Sequence, residues 1–179
     1  MRFGRDKRSQ EIGGMPMYMR VLDTLAAVSP HVNVSLANQE DFILELDSTE
    51  ERIAVIRDRR LVGPLGGIEA VLSARKSDQL VLAADLPALK KRTLLQLSEH
   101  ALQSDADIFV ARARESGRIQ PLCGVWSARL LSDINDYLDA GRRSVHGLLD
   151  TLNVAFMDIP ERELVNINRP GDLDLLTQM

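Results

Sequence analysis

A chain of 179 residues with one cysteine, 45% hydrophobic and 27% charged residues, and a net charge of −4 has ordinary globular composition and excludes several classes of function. The acidic balance argues against a dedicated nucleic-acid binder, a lone cysteine excludes a disulfide framework or thiolate metal cluster, and no apolar stretch approaches the roughly 20 residues of a membrane span. The length suits one domain over residues 1–179, and an N-terminus with Arg2, Arg5, Lys7 and Arg8 but no apolar run after them is no secretory signal, so the expected setting is cytoplasmic.

Hydrophobic periodicity orders the elements along the chain. Residues 16–28 predict a helix with Tyr18, Val21, Leu22, Leu25 and Ala26 on one face and Pro16 near its first turn. The alternating, β-branched stretch 31–37 predicts a strand, 38–46 a short helix, and 52–56 a second strand before the charged turn 57–60. Gly63-Pro-Leu-Gly-Gly67 reads as a loop that opens a helix running to Ala74. Leu80–Ala84 is continuously apolar, as in a strand buried on both faces of a parallel sheet, and stops at Asp85. A helix over 89–102 and a strand over 107–111 follow. The last third reads as an extended stretch at 120–126, helices at 130–138 and 145–152, short strands at 154–159 and 164–167, and a closing helix at 170–176.

Strands alternating with helices predict an α/β fold with a doubly wound, mostly parallel, Rossmann-like sheet in three α/β/α layers. The first helix has no strand before it. Because the opening strand of such a fold is normally central, its absence leaves the neighbouring strands unpaired on that side.

Ligands of open α/β sheets sit at the carboxyl ends of the strands. Asp58 and Asp85 stand there. A carboxylate at the end of a buried strand suits Mg²⁺, which takes one or two carboxylates together with substrate phosphates. Asp85 reads equally as the opener of an Asp-x-Pro turn. Gly63–Gly67 either admits an anion to a helix N-terminus or is simply a turn, and Gly4-Arg-Asp-Lys7 is either a phosphate-binding point or a frayed end. Cys123 and Trp126 lie in an apolar run and read as core, with an interface the alternative for Trp126. Met15, Met17 and Met19 fit packing beside the first helix. His31, His100 and His146 have no ligand-like spacing. Arg142 and Arg143 read as a solvated helix end or as a meeting point for an anionic substrate.

Taken in order, Phe3-Gly-Arg-Asp-Lys7 with Ile12-Gly-Gly-Met-Pro16, Gly63–Ile68, Leu82-Ala-Ala-Asp-Leu-Pro87, Gln120–Trp126, Gly141-Arg-Arg143 and Asn166–Leu173 resemble the nucleotidyltransferases of the molybdenum cofactor type, most closely the guanylyltransferases. The resemblance implies a nucleotidyltransferase fold and Mg²⁺-dependent transfer of GMP from GTP to molybdopterin. It implies nucleotide contacts at Lys7, Asn38, Asp58 and Asp85, catalytic roles for Lys7 and Asp85, and metal binding at Asp85. Gln120, Asn166 and Asn168 would meet the substrates, and molybdoenzymes or cofactor chaperones would be partners. A cytidylyltransferase of the same family and a non-catalytic relative that binds nucleotide, pterin or a partner protein are the alternatives. The family signature opens with a strand and a Leu-Ala-Gly-Gly-x-Ser-x-Arg phosphate loop, whereas this sequence begins where that loop would end. The expectation is a start codon upstream or omitted residues, since the later motifs are intact, and otherwise a truncated relative without catalysis. Ala84, where the family often has Cys, is expected to be tolerated.

Overall fold

The computed structural model describes residues 11–36, 53–167 and 172. The helix expected over 38–46 and nearly all of that over 170–176 lie outside them.

Strand β1 (Glu11–Ile12) pairs antiparallel with β2 (Met15–Pro16) across Gly13 and Gly14. Both glycines have positive φ, 59° and 77°, as the central pair of a two-residue hairpin requires. Arg20 ties this hairpin to helix α1 (Met17–Ala26) by donating from Nε and Nη2 to the Ile12 carbonyl at 3.0 and 2.6 Å. The buried side of α1 carries Met17, Tyr18, Val21 and Thr24.

Strands β3 (Val32–Leu36) and β4 (Ile53–Arg57) pair in parallel, with Val32 opposite Ile53. Helix α2 (Pro64–Arg75) follows. The loop expected over Gly63–Gly67 shrinks to Gly63, whose φ is 88°; Gly66 and Gly67 already lie inside the helix. Pro64 explains the early start, because its fixed φ and missing N–H suit the first helical position. At the other end Lys76 closes α2 in the left-handed conformation, its N–H donating to the Leu72 carbonyl.

A four-stranded sheet holds β5 (Gln79–Leu82), β6 (Ile108–Ala113), β7 (Ile119–Trp126) and β8 (Val154–Ile159) in the order β5-β7-β6-β8. Helix α3 (Lys91–Ala101) links β5 to β6, while α4 (Leu131–Asp139) and α5 (Val145–Leu149) lie between β7 and β8. The β6–β7 hairpin turns at Gly117 and inserts β7 antiparallel to both neighbours; β6 and β8 run parallel. The run beginning at Leu80 therefore pairs with an antiparallel strand and is half-buried rather than fully enclosed. The strand expected over 164–167 is absent. Residues Glu161–Leu164 form a 3₁₀ turn, and the Ile167 N–H donates to the Asp85 carbonyl at 3.1 Å.

Alternation along β6 divides the interior into two cores. Ile108 and Val110 point to one side, where Leu65, Leu72, Trp126 and Ile134 join α2 to α4. Ala111 and Ala113 point to the other, against Leu94, Leu97 and Cys123. Helices thus cover both faces of the sheet. Arg112 and Asp158, cross-strand partners on β6 and β8, form a surface ion pair at 2.7 Å. The Arg112 guanidinium holds the Asp158 carboxyl below its ordinary range. No helix among the described residues is long and apolar enough to cross a membrane.

Gly124 sets the distance between β6 and β7. A Cβ there would lie 2.6 Å from the Val110 Cα and closer still to the Phe109 carbonyl, both backbone atoms that cannot swing aside. Gly124→Ala is expected to destabilise the fold by roughly 1–3 kcal/mol through overpacking. Urea denaturation checks this, and an unchanged midpoint would mean that the two strands separate freely.

Candidate active site

β7 is irregular where the site begins. Gly124 stands opposite Val110, yet the next residue of β6, Ala111, stands opposite Gln120. The residues between, Pro121 to Cys123, bulge from that ladder and serve the other edge, with Leu82 facing Cys123 and the Ala83 N–H donating to the Leu122 carbonyl at 2.7 Å. Proline has no N–H for a ladder, so a bulge is where a central strand tolerates it. The Pro121 carbonyl accepts the indole N–H of fully buried Trp126 at 3.1 Å, which fixes the bulge from within.

The bulge aims Gln120 across the sheet end. Buried Gln120 donates from Nε2 to the Asn166 Oδ1 at 2.5 Å. Arg118, two residues earlier, reaches the same oxygen at 3.4 Å and donates to the Leu164 carbonyl at 2.9 Å. With its oxygen engaged by these donors, the Asn166 amide is held in one orientation. The adjacent Ile167 N–H binds the Asp85 carbonyl, so Asp85, Gln120 and Asn166 share one junction. Asp85 itself sits half-buried in the turn that follows β5. Glu163 braces the same region: buried, it accepts the Lys90 backbone N–H at 3.3 Å and pairs with the Lys90 ammonium at 3.6 Å, pinning the start of α3.

Asp58 occupies a separate position, directly after β4. It is buried, and its Oδ1 accepts the backbone N–H groups of Arg60 and Leu61 at 2.9 and 3.0 Å. These bonds close a tight turn in which Leu61 has a φ of 54°. The carboxylate also packs on α2, where a Cβ at Gly66 would fall 2.6 Å from Asp58 Oδ1, while a Cβ at Gly67 would fall 2.8 Å from Ser35 Oγ. The glycines therefore let the first turn of α2 approach β3 and β4. Arg60 extends the link to α4 by donating to Asp139 at 2.6 Å and Asn135 at 2.9 Å.

Of the residues singled out in the sequence, Asp85, Gln120 and Asn166 come together, and Asp58 lies across a cavity of about 760 Å³ that Asp58, Ser35 and Gly63 line with Ala83 and Ala84. Lys7, Asn38 and Asn168 lie outside the described residues. Arg142 and Arg143 are exposed beyond α4, Arg142 resting 5.5 Å from the centre of the Tyr137 ring. Sequence reading missed Arg118, Glu163 and Arg60. Only Arg118 left a signal, since a residue two before Gln120 on an extended stretch shares its face.

Among the described residues no group of three or more His, Cys, Asp or Glu surrounds a common point. A dedicated protein cage for a cation is thus missing there. Asp85, as a single carboxylate beyond a strand end, fits a hard cation that takes its remaining ligands from substrate phosphates and water.

Cys123 belongs to the core and not to the chemistry. Burial, aided by the nearby Glu163 charge, pushes its thiol up to about 12. Since the thiolate is the nucleophile, Cys123 is expected to resist alkylation at pH 8 in the folded protein and to react fully in urea. A timed thiol-reagent titration checks this; rapid native reaction would mean that the α3 side of the sheet opens readily.

Comparison with known proteins supplies the family and the fold. A family described as the MobA-like NTP transferase domain matches residues 1–153. The chain is 31% identical over 180 residues to a molybdenum cofactor guanylyltransferase of Cereibacter sphaeroides, covering 95% of this chain and 86% of that one. The solved molybdopterin-guanine dinucleotide biosynthesis protein A from Archaeoglobus fulgidus aligns with a TM-score of 0.80 over 99% of this chain and 94% of its own, at 21% identity. The 2-C-methyl-D-erythritol 4-phosphate cytidylyltransferase from Thermus thermophilus aligns with a TM-score of 0.68 over 97% and 94%, at 16% identity. At these identities the two solved structures speak for the fold alone.

Proposed function

The chain belongs to the MobA-like NTP transferase family and has the nucleotidyltransferase fold, and from that premise we propose that it transfers GMP from GTP to molybdopterin. One observation carries the reading. Asp85, which resembles the family's metal- and nucleotide-binding aspartate, is hydrogen-bonded through its carbonyl to the segment that bears Asn166, and Asn166 is in turn held by Gln120. On this reading a residue assigned to the nucleotide and two assigned to the acceptor share one sheet end, which supports a transfer between two bound substrates.

In this proposal a terminal phosphate oxygen of molybdopterin attacks the α-phosphorus of GTP in line. The new P–O bond forms as the bond to the β-phosphate oxygen breaks, and pyrophosphate leaves. No protein nucleophile is needed; positioning and charge neutralisation supply most of the catalysis. Mg²⁺, when bound, supplies positive charge to the reacting phosphates. Asp85 would hold that cation, and Lys7 would place an ammonium on the phosphates, with Asn38 and Asp58 gripping the nucleotide. Asp58 has Oδ1 committed to its own turn, so Oδ2 is the oxygen it would offer. Gln120, Asn166 and Asn168 would orient the acceptor. A cytoplasmic setting, with molybdoenzymes or cofactor chaperones as recipients of the product, accords with this chemistry.

Calorimetric titration with GTP, with and without Mg²⁺ and with CTP as the competitor, tests the reading. Mg²⁺-dependent binding selective for GTP is expected, and preference for CTP would point to the cytidylyl reaction. Asp85→Ala is expected to abolish the Mg²⁺-dependent component; unchanged affinity would remove Asp85 from the site. Lys7→Ala is expected to weaken GTP binding by roughly 1–3 kcal/mol, the range for a charged hydrogen bond. Binding of GTP without turnover in the presence of molybdopterin would favour the non-catalytic alternative.

A further inference from the structure

Two non-glycine residues among the described ones have positive φ, Leu61 and Lys76. Lys76 closes α2, where a left-handed residue is an ordinary helix end. Leu61 has no such setting. It stands three residues past Asp58, in the connection from β4 to α2, with a φ of 54°. A side chain disfavours that conformation, and Leu61 is 58% exposed, so burial offsets little of the cost. Backbone of this kind persists where its surroundings hold it, and it clusters at functional sites.

Two sets of bonds hold this turn. From within, Asp58 Oδ1 accepts the N–H groups of Arg60 and Leu61. From outside, the Arg60 guanidinium donates from Nη1 to Asp139 Oδ1 at 2.6 Å and from Nη2 to Asn135 Oδ1 at 2.9 Å, both on α4. Its Nε lies 3.9 Å from Glu69 Oε2 on α2. Arg60 therefore gives its main chain to the carboxylate and its side chain to the helices on either side. The Arg60–Asp139 pair is partly exposed, with side chains 32% and 66% accessible, and such a pair contributes little to global stability. Its effect is local, on where the turn stands and with it the carboxylate that lines the cavity.

We propose that Arg60 is a positioning residue, which clamps the strained turn against α4 and so keeps the Asp58 carboxylate in place for the nucleotide. Arg60 acts through Asp58 and touches no substrate itself. This inference rests on the reading of Asp58 as a nucleotide contact, whereas the clamping of the turn does not.

Amide hydrogen exchange and titration with GTP in the presence of Mg²⁺ test the two parts on the full chain. The variants are Arg60→Ala, the double change Asn135→Ala with Asp139→Ala, which removes the anchor from the α4 side, and Asp58→Ala. Exchange in β6 and β8 reports that each is folded. Arg60→Ala and the α4 variant are each expected to speed exchange of the residue 60 and 61 amides roughly tenfold and to leave β6 and β8 unchanged. Each is expected to weaken GTP binding by about tenfold, through misplacement of Asp58. Combining the two is expected to weaken it no further, since both break the same link. Unchanged exchange at residues 60 and 61 in Arg60→Ala would overturn the proposal. So would a loss of GTP affinity in Arg60→Ala that the α4 variant does not share, because Arg60 would then meet the nucleotide directly. Unchanged GTP affinity in Asp58→Ala would overturn the reading of Asp58 and the nucleotide part of the proposal with it, while exchange at residues 60 and 61 still decides whether Arg60 clamps the turn.

Discussion

The junction of Asp85, Gln120 and Asn166 depends on β7 pairing along both of its edges. One strand must satisfy β5 and β6 together, although its ladder to β6 breaks between Val110 and Ala111. The break is possible because Pro121 needs no donor partner and because Gly124 permits the two backbones to close up just beyond it. Trp126 then fills the interior and returns its indole proton to the Pro121 carbonyl. A regular β7 would shift Gln120 along the sheet and away from Asn166, so the polar junction is a product of strand irregularity.

The same logic explains why the polar groups are economical. Gln120, Arg118 and Asn166 are linked through a single amide oxygen, and Asp85 joins them by its main chain. Glu163 sits below as a buried anion but is matched by the Lys90 ammonium and the Lys90 backbone N–H at the start of α3. A buried carboxylate so matched avoids the desolvation penalty of an isolated charge. Burial, with a smaller contribution from the Glu163 charge, keeps the neighbouring Cys123 thiol protonated and inert.

Much of this was legible in the sequence where the signal was local. The amphipathic helices α1, α3 and α4 and the strand β8 follow from side-chain period, and Asp85 announces itself as an acid after an apolar run. The likeness of Leu82–Pro87 and Asn166–Leu173 to known motifs singled out residues that the fold then brings together. What stayed hidden was non-local. The antiparallel course of β7 beside β5 is fixed by a hairpin turn at Gly117 and by competition for edges, which period cannot express. Residues 164–167 have the apolar, β-branched texture of a strand, but no described strand pairs with them, and they dock through bonds from the Arg118 and Gln120 side chains and one to the Asp85 carbonyl. Gly66 and Gly67 look like loop residues; their real function is to let a helix approach Asp58 and Ser35, a contact between elements.

That contact ties two distant positions of the chain to one another. The Asp58 carboxylate occupies the volume that any side chain at residue 66 would require. An acid at 58 therefore favours glycine at 66, and a larger residue at 66 requires a smaller one at 58, a reoriented carboxylate or a displaced helix. Across relatives with this packing, the two sites would vary as a pair rather than singly. Drift in a residue with no side chain would then report on the history of the acid beneath it.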